Sequence, residues 1–356
     1  MTRVLLVGKG PPDRGGIAAF LSTLQASDLS SRHDLSLLNL TRDEVPRSGR
    51  LTASNVRRTL DDAVAVFRAS RGVRVVHIHT ALVPHVTLVR VTLLALAARA
   101  RGARVIVHAH SGKVQRWLVS RPRRLLARAG LLPAHRIVAV SEDGRSALAR
   151  ATGRDVRLIE NGVVCGAPPD DRPTSGAPRV LYAGVLTPRK GVVDLLEASR
   201  LLDGRGVRHE VVLAGGTPDE GPAAEEAVRS AAHKSPARFI GPQPHDEMDA
   251  LFRSADVFCL PSWWEAMPLS VLEAMAAGAP VVATRVGDVA RAVEDGVTGR
   301  LVTPRQPEEL ADALEPILRD SRLRTAMGRA GRERVERLFA MDATVDAIDG
   351  LYGELS

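Results

Sequence analysis

The chain contains few aromatic residues and almost no cysteine, and both shortages narrow what it can be. Phe, Trp and Tyr make up 3% of its 356 residues, and the absence of any nucleic-acid-binding motif argues against nucleic acid as a partner. The two cysteines, Cys165 and Cys259, are too few for a disulfide framework and lack the spacing of a metal-ligand set. A reducing compartment, the cytoplasm, is therefore the expected location.

The sequence also lacks a hydrophobic run long enough to cross a membrane. Its longest apolar segment, residues 83–98, is interrupted by His85 and Arg90 and is shorter than the roughly 20 residues that a spanning helix needs. Residues 1–10 are typical of a buried strand and not of a signal peptide, because no charged segment and cleavage site frame the apolar residues 4–7. We therefore expect a cytoplasmic protein with neither a leader nor a membrane span.

Acidic residues are missing from one long stretch of the N-terminal half. No Asp or Glu occurs between residues 63 and 141, where 14 Lys and Arg residues stand. Residues 1–168 carry 27 basic and 11 acidic residues (+16), and residues 169–356 carry 22 and 30 (−8), which together give the overall charge of +8. Only four of the 49 basic residues are Lys, which indicates a coding preference for Arg, but such a preference cannot remove acids. A basic half favours an anionic membrane surface or a phosphate-bearing acceptor.

Short apolar runs alternate with helical stretches along the whole chain, a pattern typical of parallel α/β units. Six strands are predicted in the first half, near residues 4–7, 35–38, 73–78, 104–107, 137–140 and 156–159. Six more are predicted in the second half, near residues 180–183, 209–213, 238–240, 257–260, 280–283 and 299–302. The predicted fold class is α/β, with two Rossmann-like domains that bind ligands at the carboxyl ends of their strands and face each other across a cleft.

The length of the chain suits two hydrophobic cores and not one. A segment rich in Pro, Gly and Ser, residues 167–178, is the predicted linker. It separates a predicted N-terminal domain, residues 1–166, from a predicted C-terminal domain, residues 179–338.

Two carboxylates, Glu265 and Glu273, stand eight positions apart around a predicted helix start. Pro268 suits the first helical position, where its missing N–H would be unsatisfied in any case. Gly278 suits the position just past the helix end, where a left-handed residue is wanted. Glu265 is therefore predicted in a loop before the helix, and Glu273 about two turns along it.

The start of this helix is also a predicted phosphate-binding position. It presents the backbone N–H groups of Ala266, Met267 and Leu269 with the positive end of the helix dipole behind them. A bound phosphate flanked by two carboxylates that accept hydrogen bonds from hydroxyl groups fits a sugar nucleotide. Glutamates that simply face water are the alternative.

This segment closely resembles the signature of the retaining glycosyltransferases of family four, which have the two-domain GT-B fold. The shared pattern is Pro-Ser, then Glu-x7-Glu, then Ala-Met-Ala-x-Gly-x-Pro-Val-Val, within residues 261–282. The resemblance implies that Glu273 binds the nucleotide ribose and that Glu265 holds the hydroxyls of the donor sugar. It also implies that a last helix within residues 339–356 crosses back to the N-terminal domain. No metal and no cofactor are expected besides the nucleotide-diphosphate sugar that serves as substrate.

Small residues at strand ends match further parts of the same family pattern. Gly15 and Gly16 correspond to the loop placed beside the diphosphate and acceptor, although a plain tight turn is the alternative. Gly215 lies in a turn resembling the one beside the nucleotide, and Ile240 lies in the segment 239–245, which resembles the stretch that hydrogen-bonds the base. The Gly-x-Gly at residues 8–10 is only a weak match to a dinucleotide fingerprint, because Asp13 stands where the third glycine should be.

The cationic residues of the second half match the family only in part. Lys190 matches its diphosphate-binding lysine, whereas Val185 stands where the family has an arginine. Arg189 is the candidate replacement, with solvated surface charge as the alternative reading. Gly287-Asp288 and Arg291 stand in the region where the family has Gly-Gly and a later Glu.

Four histidines form two His-x-His pairs at strand ends: His77 with His79, and His108 with His110. Strand alternation places the members of each pair on one face. No Cys or carboxylate lies near them in sequence to complete a zinc site, so a metal is not expected. The resemblance implies that His110 contacts the donor sugar near its reactive carbon, and His108 is expected to pack behind it.

Basic residues of the segment 113–136, among them Lys113, Arg116, Arg123 and Arg124, are interspersed with leucines and a tryptophan. A basic helix with an apolar flank is typical of an interfacial membrane element. A surface helix packed on its own sheet explains the pattern equally well.

Together these features predict a retaining, metal-independent hexosyltransferase. It would use Glu265, His110 and Lys190 to transfer a sugar from a UDP- or GDP-sugar to a glycan, lipid-linked or natural-product acceptor. The alternatives are a sugar-nucleotide epimerase or hydrolase of the same fold, and a basic module that binds membrane or nucleic acid.

Overall fold

The computed structural model describes residues 1–13, 15–41, 52–167, 176–216, 222–232, 235, 237–244 and 247–356. The chain divides into two compact units: unit 1 comprises Met1–Asn161 with Met341–Ser356, and unit 2 comprises Gly162–Ala340. Most of the predicted linker, residues 168–175, and the last residue of the segment 239–245 lie outside the described part.

Unit 1 contains a six-stranded, entirely parallel sheet in the order β2-β1-β3-β4-β5-β6. Its strands are β1 Arg3–Gly8, β2 Asp34–Asn39, β3 Val75–Thr80, β4 Arg104–Ala109, β5 Arg136–Ala139 and β6 Val156–Leu158. Strand β3 is buried at every position and β4 at every position but the first. Strands in the middle of a parallel sheet are buried in this way because helices cover both faces of the sheet.

The helices of unit 1 include the last helix of the chain. They are α1 Gly16–Ala26, α2 Leu29–Arg32, α3 Ala53–Ala69, α4 His85–Arg99, α5 Val114–Trp117, α6 Arg121–Gly130, α7 Glu142–Thr152 and α15 Met341–Gly353. The guanidinium of Arg32 joins α2 to α15 through hydrogen bonds to Asp346 (2.7 Å) and Asp349 (3.0 Å). The hydroxyl of Tyr352, on α15, lies 2.9 Å from Nδ1 of His77 on β3.

Unit 2 repeats the architecture with a parallel sheet in the order β12-β11-β10-β7-β8-β9. Its strands are β7 Arg179–Ala183, β8 Glu210–Ala214, β9 Ala237–Gly241, β10 Val257–Leu260, β11 Val281–Thr284 and β12 Gly299–Val302. Its helices are α8 Val192–Gly204, α9 Pro222–Ala232, α10 Met248–Arg253, α11 Leu269–Ala276, α12 Val289–Ala292, α13 Pro307–Arg319 and α14 Ser321–Leu338, with a 3₁₀ turn at Pro188–Lys190.

All twelve predicted strands are present, each within two residues of its expected bounds. The predicted α/β class is therefore confirmed, with one Rossmann-like parallel sheet in each unit. No helix in the described part of the chain combines the length and the apolarity needed to cross a membrane.

Candidate active site

Glu265 and Glu273 flank the start of helix α11, which follows strand β10 in unit 2. The helix begins one residue later than predicted, because Pro268 has an extended backbone (φ −73°, ψ 120°) and occupies the N-cap position, before the first helical residue. A proline ring fixes φ but leaves ψ free, so the sequence could not decide between these two positions. Gly278 has φ +74°, which confirms the left-handed residue predicted after the helix end.

The loop that carries Glu265 is hydrogen-bonded to the neighbouring segment before and within α8. The backbone N–H of Trp263 donates to the carbonyl oxygen of Arg189 at 2.9 Å, and its indole Nε1–H donates to the carboxylate of Asp194 at 2.8 Å. Burial raises the pKa of Asp194 while the indole hydrogen bond opposes that change. The two bonds fix the direction in which the loop leaves strand β10.

Lys190 and Glu265 form an ion pair, with Nζ 2.5 Å from Oε1 and side chains that are 17% and 13% exposed. Gly191 permits this approach, because its φ is +70° and an added Cβ would lie 1.9 Å from the carbonyl oxygen of Pro261. A larger residue at 191 would push the lysine-bearing turn away from the loop. The pair is mostly shielded from water, where a charge-assisted hydrogen bond is stronger than at an open surface.

Glu273 lies on α11, and its carboxylate has no hydrogen-bond partner among the described residues. Burial raises the pKa of this carboxyl to about 7. A partly buried carboxylate without a donor is costly to keep ionised. The group is therefore well suited to accept hydrogen bonds from the hydroxyls of a ligand.

The backbone at the start of α11 is held by a turn whose role sequence reasoning missed. Gly287 has φ +51°, and an added Cβ would lie 2.4 Å from the carbonyl oxygen of Glu265 and 2.6 Å from that of Ala266. The N–H of Asp288 donates to the Ala266 carbonyl at 2.8 Å. Gly287-Asp288 thus packs directly beneath the predicted phosphate-binding amides, which include those of the buried Met267 and of Leu269. The Gly-Asp pair after strand β11 was the available signal.

Arg189, the candidate replacement for the missing arginine, lies beside this loop. Its guanidinium carbon is 5.8 Å from the ring centre of Trp264, the residue that precedes Glu265. This distance is within the range of a cation–π contact. The carbonyl oxygen of Val185, where the family has an arginine, accepts a hydrogen bond from the buried Tyr182 hydroxyl at 2.7 Å.

Gly215 and Ile240, which are also predicted to bind the sugar donor, lie at the carboxyl ends of the adjacent strands β8 and β9. An added Cβ on Gly215 would lie 1.8 Å from the carbonyl oxygen of Gly184, so glycine permits the close approach of β7 and β8. The carbonyl oxygen of Ile240 already accepts a hydrogen bond from the side-chain amide of Gln243 at 2.6 Å. A base that used this carbonyl would have to share it with that amide.

In unit 1, the start of α1 already holds a carboxylate. Gly15 caps the helix and Gly16 begins it, and Oδ1 of Asp13 accepts the Gly15 N–H at 2.8 Å. Nζ of Lys9 lies 3.1 Å from the same carboxylate. An anionic ligand at this glycine pair would therefore have to displace Asp13, whose role the sequence did not reveal. An added Cβ on Gly16 would meet no atom within 4 Å.

His110 is one member of a packed histidine cluster at the carboxyl ends of β3 and β4. Its Nε2 lies 3.0 Å from Nδ1 of His79, while His77 and His108 are fully buried. Burial lowers the pKa of all four imidazoles, that of His110 to about 3. His110 is therefore neutral near pH 7 and can both donate and accept a hydrogen bond.

One ring nitrogen from each of His77, His79 and His108 lies within 4.8 Å of the others, close enough to consider a metal site. The rings of His77 and His108 are stacked, with an angle of 6° between their planes and 5.3 Å between their centres. An imidazole binds a metal through a lone pair in its own ring plane, at about 2.0–2.1 Å. Stacked parallel rings direct their lone pairs to separate points, so this arrangement fits ring packing better than a ready-made metal cage.

The basic stretch is divided between α5, with Lys113 at its cap and Arg116 within it, and α6, with Arg123 and Arg124. The guanidinium of Arg123 lies 5.7 Å from the ring centre of Trp117. Beside these cations stand apolar side chains that are largely exposed: Val119, Leu125 and Leu132.

The chain matches two family profiles, one in each half. Residues 169–334 match "Glycosyl transferases group 1", and residues 20–166 match "Glycosyltransferase Family 4". The chain therefore belongs to the family-four, group 1 glycosyltransferases.

Individual relatives agree with this assignment. The D-inositol 3-phosphate glycosyltransferase of Corynebacterium efficiens is 37% identical over 180 residues, which cover 49% of this chain and 42% of that enzyme. The chain thus spans about half the length of the curated relatives it matches. Sucrose-phosphate synthase from Thermosynechococcus elongatus superposes with a TM-score of 0.80 at 21% identity, over 100% of this chain and 99% of that one. Anabaena HepE, crystallised with UDP and glucose, superposes with a TM-score of 0.78 at 16% identity, over 99% and 100%. Identities this low show a shared fold alone.

Proposed function

We propose that the chain is a retaining glycosyltransferase that moves a hexosyl group from a UDP- or GDP-sugar to a hydroxyl acceptor. One observation carries the proposal: the shielded Lys190–Glu265 ion pair stands at the start of α11, and on the same helix stands the carboxylate of Glu273, which has no hydrogen-bond partner in the described part of the chain. Support also comes from family membership and from the UDP and glucose bound to the structurally similar HepE.

In the proposed donor complex, Glu273 accepts hydrogen bonds from the ribose hydroxyls. These donors stabilise the ionised carboxylate and offset the burial that raises its pKa to about 7. Glu265 holds hydroxyls of the sugar, and the neutral His110 orients the sugar near its reactive carbon. Gly15, Gly16, Gly215 and Ile240 keep the donor-binding roles that the family resemblance implies.

The proposed transfer breaks the bond between the anomeric carbon and the diphosphate oxygen, which keeps the electron pair. The acceptor oxygen bonds to the same face of the sugar, and its proton passes to the departing phosphate oxygen. Lys190, Arg189 and the amides at the start of α11 stabilise the charge on this leaving group, which is the largest electrostatic task in such a reaction. Nζ of Lys190 is held beside the loop of Glu265 by their ion pair, and in the proposed complex the same ammonium group also contacts the diphosphate.

We propose that transfer needs no resident metal or other cofactor, since these cations and amides can neutralise the diphosphate. Activity should then survive exhaustive chelation by EDTA. Loss of activity on chelation, with recovery on adding a divalent metal, would overturn this part of the proposal.

We further propose that the enzyme is cytoplasmic and acts on a glycan, lipid-linked or natural-product acceptor at the inner face of the membrane. The exposed Leu125 and Val119 beside Arg123 and Arg124 suit partial insertion at an anionic surface. Flotation with phosphatidylglycerol vesicles at low salt tests this. Binding should fall strongly for Leu125→Glu and stay unchanged for the control Val297→Glu, which alters an exposed valine of unit 2.

The donor proposal is tested by a thermal-shift screen against UDP- and GDP-sugars. A ligand at 100 times its Kd raises the free energy of unfolding by about 2.7 kcal/mol. Parallel incubation of each sugar nucleotide without acceptor distinguishes the alternatives, because rapid epimerisation or hydrolysis would identify an epimerase or hydrolase. If no sugar nucleotide shifts the transition, the proposed donor site is wrong.

A further inference from the structure

Five of the six strands of unit 1 carry an arginine at or next to their amino ends. In sheet order these are Arg3 on β1, Arg74 just before β3, Arg104 on β4, Arg136 on β5 and Arg157 on β6. Neighbouring strands are about 4.8 Å apart, so the five positions form a row, which we call the arginine edge. Because the strands are parallel, this edge is opposite the one that carries His110, and it holds none of the residues of the proposed transfer.

Two depressions lie at the β4–β6 end of the arginine edge. One, of about 340 Å³, is lined by His135, Arg136, Arg154, Asp155 and Arg157. The other, of about 270 Å³, shares His135 and Arg136 and adds Arg74, Arg104 and Glu354 among its lining residues. Their shared wall makes His135 and Arg136 the centre of one cationic surface.

The donors at this centre are held in place by the backbone around them. The N–H of Val105 donates to Nδ1 of His135 at 2.9 Å, so the neutral ring carries its proton on Nε2, which is then a donor. The guanidinium of Arg154 donates to the carbonyl oxygens of Leu131 (2.8 Å) and Ala134 (2.6 Å). These bonds orient the groups before any ligand arrives, which reduces the entropy that binding would cost.

Positive charge exceeds negative charge at this end of the edge. Burial lowers the pKa of His135, and the nearby charges of Arg99, Arg104, Arg154 and Arg136 lower it further. Burial and the charge of Arg136 likewise lower the pKa of Arg154. Cations that disfavour one another's charge in this way are stabilised by a bound anion.

One carboxylate already shows how an anion is accommodated here. The carboxylate of Glu354, just beyond α15, lies 3.1 Å from Nε of Arg136 and 2.9 Å from a terminal nitrogen of Arg157. A phosphate group has the same kind of acceptor oxygens, with one more oxygen and more charge to interact with the remaining arginines.

We propose that the arginine edge is a second anion-binding site, which takes a phosphate-bearing ligand between Arg136 and Arg157 in place of Glu354. His135 donates to this phosphate through Nε2–H, and Arg104 and Arg154 supply further positive charge. The ligand chemistry is that of a phosphate group, whether free in solution or carried by a phospholipid headgroup.

The test is calorimetric titration of the full chain with inorganic tripolyphosphate at low salt. The titration is compared among variants of the arginine edge, so that any tripolyphosphate bound at the proposed donor site is common to all of them. Arg136→Gln combined with Arg157→Gln should weaken binding by about tenfold or more, while Arg300→Gln, which alters an exposed arginine of β12 in unit 2, should leave it unchanged. Unchanged tripolyphosphate affinity in the double variant, with circular dichroism showing that it is folded, would overturn the proposal.

A second variant keeps the test decisive if the double variant does not fold. Glu354→Gln removes the competing carboxylate, so it should bind tripolyphosphate several-fold more tightly. Equal or weaker binding contradicts a phosphate that replaces Glu354.

Sedimentation with phosphatidylglycerol vesicles separates the two sources of phosphate. Vesicle binding that falls in Arg136→Gln/Arg157→Gln identifies a lipid headgroup, and a loss confined to tripolyphosphate identifies a soluble ligand. UDP-sugar binding by the same double variant should be unchanged. The test of this anion-binding site is therefore independent of the test of the proposed transferase activity.

Discussion

Substitution of Glu273 by Gln should stabilise the protein at high pH and weaken the donor at the same time. The pKa of this carboxyl is raised by burial from 4.5 to about 7. As pH rises from 4.5 to 7, the unfolded chain therefore loses this proton while the folded chain keeps it. The contribution of Glu273 to the free energy of unfolding must therefore fall as pH rises across that window, by about 1.4 kcal/mol per pH unit.

The magnitude follows from the same values. Between pH 5.5 and 7 the raised pKa of Glu273 should lower the free energy of unfolding by about 2 kcal/mol, and this loss of stability should hardly grow above pH 7. Gln carries no charge at any pH. The difference in unfolding free energy between Glu273→Gln and the unaltered chain should thus shift in favour of the variant by about 2 kcal/mol between pH 5.5 and pH 8.

Donor binding should respond in the opposite sense. Ribose hydroxyls donate to the ionised form, and the ionised fraction of a group with a pKa of about 7 rises about tenfold between pH 6 and pH 8. The affinity of the unaltered chain for its sugar nucleotide should rise by a similar factor. Glu273→Gln should bind about ten- to a hundredfold more weakly, because it loses hydrogen bonds to a charged group, and its affinity should not change with pH.

The assays are urea unfolding and calorimetric titration at pH 5.5, 6, 7 and 8, with Glu333→Gln as the control. Glu333 is exposed on α14 of the same unit, so its variant should follow the unaltered chain at every pH. The reasoning is refuted if Glu273→Gln gains no stability relative to the unaltered chain as pH rises, because burial would then not raise the pKa of Glu273.

Three further predictions concern Lys190 and Gly191, which contact the loop that carries Glu265, and the histidine cluster. Lys190→Met leaves Glu265 shielded without its cation, so urea unfolding should show a loss of about 3 kcal/mol; a loss below about 1 kcal/mol would match an exposed pair instead. Gly191→Ala places a Cβ 1.9 Å from a carbonyl oxygen and should destabilise unit 2 by about 1–3 kcal/mol, whereas Gly204→Ala, which meets no atom within 4 Å, should not. Burial lowers the pKa of the four clustered histidines, so the unfolded chain binds more protons below pH 6.5. The contribution of these histidines to the free energy of unfolding should therefore fall as the pH is lowered below 6.5, by up to about 1.4 kcal/mol per pH unit for each histidine. An unchanged urea midpoint between pH 7 and pH 5 would contradict this.

The sheets were predictable because their central strands, such as β10 and β11, are buried on both faces and therefore appear in the sequence as short continuous apolar runs. The left-handed Gly278 was predictable for a similarly local reason, since its requirement depends on the helix end alone. Pro268 shows the limit of local reasoning, because its ring fixes φ and the surrounding fold sets ψ.

The contacts that complete the candidate site were not predictable, because they join residues far apart in sequence. The Gly-Asp pair at residues 287–288 indicated a turn but not its contact with the carbonyl of Glu265. No local pattern indicated that Tyr352 lies against His77. The carboxylate of Asp13 at the Gly15 amide was within reach of local reasoning. The glycine pattern alone indicates Asp13 only as the residue that interrupts a dinucleotide fingerprint.

The most direct test of sugar transfer from a nucleotide sugar follows the anomeric carbon. UDP- and GDP-hexoses would each be incubated with a pool of acceptors that includes D-inositol 3-phosphate, and the products followed by ³¹P and ¹H NMR. The account predicts that one donor releases its nucleoside diphosphate and gives a glycoside with the anomeric configuration of that donor, and that Glu265→Gln and Glu273→Gln slow this release. A product of inverted configuration, or release that both variants leave unchanged, would contradict it.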